Sequence, residues 1–118
     1  MLTKKGNKEI FICQNCKEHI TEMETSHDVP IYLFPGLTRK ERKNTADKFG
    51  RKNLCIDCHD KYEAKVLQVL FRNLLGKEID LITTRKERTP YFPKIWRLDE
   101  EKKRLGIKIC LKIAGDKI

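Results

Sequence analysis

Asn53-Leu54-Cys55-Ile56-Asp57-Cys58-His59 decides how this chain folds, together with an earlier counterpart, Cys13-Gln14-Asn15-Cys16. In each stretch two residues separate a pair of cysteines. That spacing lets both sulfurs of one tight turn point at a single ion. A second such turn completes a tetrahedral site with thiolates about 2.3 Å from the metal. The pattern predicts one structural Zn²⁺ held by Cys13, Cys16, Cys55 and Cys58. The interval from Cys16 to Cys55 is longer than a simple zinc ribbon allows, so a sizeable element must lie between the two turns. Two rival readings use only one pair. A thioredoxin-like redox motif would need a βαβ setting that the pattern does not offer. Cys55-Ile56-Asp57-Cys58-His59 also fits the C-x-x-C-H of covalent haem attachment, but that leaves Cys13 and Cys16 without a role. Cys110 sits in an apolar run and reads as a small core residue.

Outward from the cysteines, Ile10-Phe11-Ile12 reads as a short strand leading into the first pair. Residues 24–34 read as a second strand region, broken at Pro30 and ended by Pro35-Gly36. Thr38-Arg39-Lys40-Glu41 fits a capping box, which predicts a helix that Gly50 would close. The second pair opens the strongest helix. Its apolar residues Tyr62, Val66, Val69, Leu70, Phe71, Leu74 and Leu75 fall largely on one face, and Gly76 is its expected stop. A short helix is expected near Asp99–Leu105, followed by a strand over Ile107–Ile113.

The chain has 118 residues, enough for one modest core. Its formal net charge of +9 points to a polyanionic partner, with nucleic acid first. The basic stretch 36–52 carries Arg39, Lys40, Arg42, Lys43, Lys48, Arg51 and Lys52 against only Glu41 and Asp47, and is the expected phosphate-contacting segment. Arg85, Lys86, Arg88, Lys94 and Arg97, interleaved with Tyr91, Phe92 and Trp96, form a second candidate contact surface. No run approaches the 18 apolar residues of a membrane span, so no membrane partner is expected. No long apolar segment follows Met1-Leu2-Thr3-Lys4-Lys5-Gly6, which argues against a secretory signal and for the cytoplasm, where thiols stay reduced.

Three pieces in order, Cys13-x-x-Cys16, His27-x-x-Pro30 and Asn53-Leu54-Cys55-x-x-Cys58-His59, resemble the zinc-knuckle branch of the HNH endonucleases over roughly residues 11–75. The resemblance implies an α+β fold: a small, zinc-stapled ββα-metal finger over residues 10–76. Residues 1–9 would be a flexible N-terminus, and 77–118 a basic, aromatic extension packed on or near the same domain. It implies a metal-dependent endonuclease that hydrolyses phosphodiester bonds, most naturally in double-stranded DNA, to 5′-phosphate and 3′-hydroxyl ends. His27 would be the general base, and His59 would bind a catalytic Mg²⁺ or Mn²⁺. Family members usually place Asp or His before the base histidine as a metal ligand, and here that residue is Ser26. Serine is a weak ligand for a hard dication. Asp28, on the same face of a regular strand as Ser26, is the alternative source of a carboxylate. The family asparagine falls on Asn53, with Asn44 a second candidate. His19 reads as a surface residue. A non-catalytic zinc-knuckle module that binds nucleic acid is the competing function. Oligomeric state does not follow from the sequence.

Overall fold

The structure, a computed structural model, describes residues 10–34 and 38–116. The N-terminal segment 1–9 and the Pro35-Gly36 strand end lie outside the described residues. Strands β1 (Phe11–Ile12) and β2 (His19–Ile20) pair antiparallel, and the first cysteine pair occupies the turn between them. Lys17 closes that turn with φ 67°, and its N–H donates to the Cys13 carbonyl at 3.0 Å. Strand β3 (Glu24–His27) pairs antiparallel with β4 (Arg51–Leu54), setting Thr25 opposite Asn53, Ser26 opposite Lys52 and His27 opposite Arg51. The result is a mixed α+β chain with two short antiparallel sheets and a four-cysteine cluster.

Helix α1 (Arg39–Phe49) bridges β3 and β4. Its start carries the full capping box. The Thr38 hydroxyl accepts from the Glu41 N–H at 3.1 Å, and the Glu41 carboxylate accepts from the Thr38 N–H at 2.9 Å. At its far end Gly50 adopts φ 118°. A side chain there would put its Cβ 2.5 Å from Asp28 Oδ2, so this corner needs glycine for both conformation and space.

Helix α2 (Ile56–Leu70) starts within the second cysteine pair. Cys55 is its N-cap and accepts the Cys58 N–H on sulfur at 3.4 Å. It runs on through a wider π-helical turn, Phe71–Leu75, and Gly76 ends it in the left-handed conformation. Val66, Leu67, Leu70, Phe71 and Leu74 from this rod meet Val29, Leu33, Phe34 and Ala46 in the main core.

The segment beyond residue 77 closes over that core through α3 (Arg85–Arg88), α4 (Phe92–Trp96) and α5 (Glu100–Asp116), with Ile95 and Cys110 buried in it. The strand expected over Ile107–Ile113 is instead the continuation of α5. Gly106 and Cys110 are buried with Ile107 and Ile113 packed beside them, while Lys108 and Lys112 are exposed, a spacing of three and four that suits a helix. Asp99 begins that helix by accepting the Lys102 N–H at 2.9 Å. A Cβ on Gly106 would lie 3.1 Å from Leu33 and 3.2 Å from Leu74, so the missing side chain sets how closely α5 approaches the core.

Candidate functional site

The four sulfurs of Cys13, Cys16, Cys55 and Cys58 lie within 4.8 Å of one another, and the Cys16–Cys55 pair is 4.0 Å apart. Sulfurs at the corners of a tetrahedron about 2.3 Å from zinc are about 3.8 Å apart, so the cluster has the dimensions of such a site. Its two turns are clasped directly. The Gln14 N–H donates to the Asn53 carbonyl at 2.9 Å, and the Asn53 N–H donates back to the Gln14 side chain.

The thiols differ in how readily they ionise. Burial opposes ionisation of Cys13, yet backbone N–H groups of Cys16, Cys55 and Asn15 bring its pKa down to about 6. Cys58 is pushed up to about 12 by burial and neighbouring sulfurs, against the amide of Asn15, which donates to its sulfur at 3.4 Å. Several thiolates cannot crowd together without a counter-charge, and a dication supplies one. The cluster can hold a metal ion, and its chemistry and spacing suit zinc.

Some 340 Å³ of cavity opens on the face of β3 that carries Thr25 and His27, and His59 and Glu63 of α2 form its opposite wall. Arg39, Lys43 and Arg85 also line it. His27 Nε2 lies 2.7 Å from Asp47 Oδ1. The hydrogen bond from His27 lowers the Asp47 pKa, with Lys43 and Arg51 adding to the effect. The Asp47 carboxylate accepts the Nε2 proton of His27.

His59 is buried between two carboxylates. Its Nδ1 donates to Glu24 Oε1 at 2.6 Å, and its Nε2 lies 3.3 Å from Glu63 Oε2. Burial lowers the His59 pKa, but Glu63 and Glu24 outweigh it and the net direction is upward. Behind them Arg88, fully buried, reaches Glu63 Oε1 and Asp60 Oδ1, each at 2.8 Å. His59 Nε2 and Glu63 Oε2 thus form an ion pair along one helix face, and among the described residues only the four cysteines gather three or more possible metal ligands.

The remaining sequence candidates divide. His27 and His59 share the cavity, but Ser26 and Asp28 line a separate one of about 230 Å³ on the other side of the sheet. Asp28 is paired there with Lys52 at 2.9 Å, so these two residues are not brought to His59. Asn53 is exposed on β4 and does not line the cavity of the two histidines; Asn44 is exposed on α1. His19 is exposed on β2. Of the basic stretch, Arg39 and Lys43 reach the cavity. Arg42 sits 5.1 Å over the Trp96 ring, Arg51 lies 3.7 Å from Asp47, and Lys40 and Lys48 are exposed. In the second basic segment Arg88 is interior and belongs to no contact surface, while half-buried Tyr91 packs edge-on to Phe71.

Glu24, Asp47 and Glu63 were not singled out by the sequence. Glu63 had a usable signal, since it stands four residues after His59 on one helix face. Asp47 had none, because its partner is twenty residues away on a strand. Comparisons of the chain with protein-family models, with curated proteins and with solved structures found no significant match.

Proposed function

We propose that this chain is a zinc-stapled, metal-dependent endonuclease of HNH type that hydrolyses phosphodiester bonds in DNA. The observation that carries the reading is the meeting of His27 and His59, from a strand and a helix, across one cavity rimmed by Arg39, Lys43 and Arg85. Nothing in core packing requires two histidines with carboxylate partners to face each other beneath three cations. A phosphate in the cavity would use all of them.

The three cations bind and orient the phosphate by its non-bridging oxygens. His27 Nδ1 takes a proton from the attacking water, while Asp47 fixes the ring through Nε2 and favours the imidazolium that forms. Glu24 performs the same orienting task on His59, leaving Nε2 turned toward Glu63. A Mg²⁺ or Mn²⁺ ion held by His59 and Glu63 would neutralise the phosphate and the leaving 3′-oxygen. Glu63 in this arrangement takes the acidic role that Ser26 cannot fill.

The test is nicking of supercoiled DNA with Mg²⁺ or Mn²⁺. His27→Ala should lower the rate by about 10²–10⁴-fold with DNA affinity and zinc content unchanged. Asp47→Asn should lower it by roughly tenfold or more and alter the pH–rate profile, because it loosens the hold of Asp47 on His27 and on Lys43. Equal cleavage by wild type and His27→Ala would overturn the catalytic assignment. The second reading, a non-catalytic zinc-knuckle binder, is favoured by one observation: both ring nitrogens of His59 are already engaged by carboxylates. Binding without cleavage under any divalent ion would select it.

A further inference from the structure

A second groove, of about 230 Å³, adjoins the cavity of the two histidines and shares Tyr32, Arg39 and Phe92 with it. Its surface is unusual for the edge of a core. Tyr32 and Phe92 stack at 4.9 Å with their planes 20° apart. Trp96, at the end of α4, is 45% exposed. The Arg42 guanidinium lies over the Trp96 ring. Large aromatics usually bury their faces, and an arginine stacked on an exposed indole holds it in one orientation.

We infer that this groove is a stacking platform for an unpaired nucleobase beside the phosphate to be cut, so that the favoured substrate is single-stranded or locally unpaired nucleic acid. The inference rests on the phosphodiester reading of the neighbouring cavity and specifies its substrate class. Three observations select this occupant. The groove is smaller than pockets that enclose a whole drug-sized ligand, and three aromatic side chains, Tyr32, Phe92 and Trp96, line it. Arg39 is common to both depressions, so a phosphate on Arg39 places the adjoining nucleotide over the platform. The chain's charge of +9 favours a polyanion over a peptide. In an intact duplex each base face is covered by its neighbours. An aromatic platform therefore engages only a base that has left the stack.

Trp96 is the single tryptophan of the chain, so its emission reports on the platform directly. Wild-type protein, without added divalent ion, is titrated with a short DNA single strand, the blunt duplex, and that duplex with one central unpaired nucleotide. The single strand and the interrupted duplex should quench Trp96, and the blunt duplex should not. Trp96→Ala should weaken binding of the first two by roughly 5- to 150-fold and of the blunt duplex by under about twofold. Trp96→Phe, which keeps a ring, should restore most of the loss, and zinc content shows that each variant is folded. Absence of quenching with every substrate, or an equal loss on the blunt duplex, overturns the platform. Cleavage is scored separately after Mn²⁺ is added to the same mixtures. Quenching without cleavage leaves the platform standing and removes the nuclease, while cleavage without quenching does the reverse.

Discussion

Gly50→Ala should destabilise the protein by about 2–4 kcal/mol, and the size follows from two separate costs. A non-glycine residue held in a sparsely populated backbone region such as φ 118° costs about 1–3 kcal/mol. The new methyl would also lie 2.5 Å from Asp28 Oδ2 and must push that carboxylate aside. The displacement breaks the 2.9 Å pair between Asp28 and Lys52, a partly exposed ion pair that contributes at most about 1 kcal/mol. The assay is urea unfolding at fixed free zinc, with the shift in midpoint read at constant slope. Asp28→Ala removes the steric conflict but not the backbone strain. The double variant should therefore be more stable than the sum of the single effects predicts, by about 1 kcal/mol. A loss below about 0.5 kcal/mol for Gly50→Ala, or strict additivity in the double variant, would refute the argument that Asp28 and Gly50 share this corner.

Cys13→Ser should release the metal and unfold at least the β1–β2 turn, seen as loss of zinc by elemental analysis and of protection from proteolysis. Arg88→Met should cost about 3 kcal/mol in urea unfolding by stranding Asp60 and Glu63, and adding Glu63→Gln should recover part of it. His59 has a folded pKa raised above its ordinary 6.5, so its contribution is complete below about pH 6.5 and lost as pH rises through the folded value. Thermal melts without added divalent ion should accordingly fall as the pH rises above about 6.5, and His59→Gln should flatten that fall.

The parts of the fold legible in the sequence are those whose cause is local. Metal-ligand spacing exposed the cysteine cluster, the Thr38 hydroxyl and Glu41 carboxylate announced α1, and three- and four-residue spacing traced α2 to its glycine stop. The C-terminal helix was misread because Ile107, Ile109, Leu111 and Ile113 alternate with polar or small residues as a strand would, and only packing shows which of them face the core. In the candidate site, alternation along β3 correctly paired Ser26 with Asp28 and opposed them to His27. The same alternation carries both away from His59, whose position on α2 could not be judged before the sheet and helix were docked. Asp47 and Glu24 reach their histidines through tertiary contacts across twenty and thirty-five positions, and no sequence pattern encodes such a pairing.

Helix α2 begins on two cysteines, presents His59 and Glu63 within its first turns, and ends deep in the main core. At about 1.5 Å of rise per residue, the cysteine cluster and the histidine cavity are registered by one rigid ruler with almost no length between them. Loss of a metal ion from the cysteines, or an oxidant that couples Cys16 to its near neighbour Cys55, would therefore be felt first at the start of α2, where His59 stands.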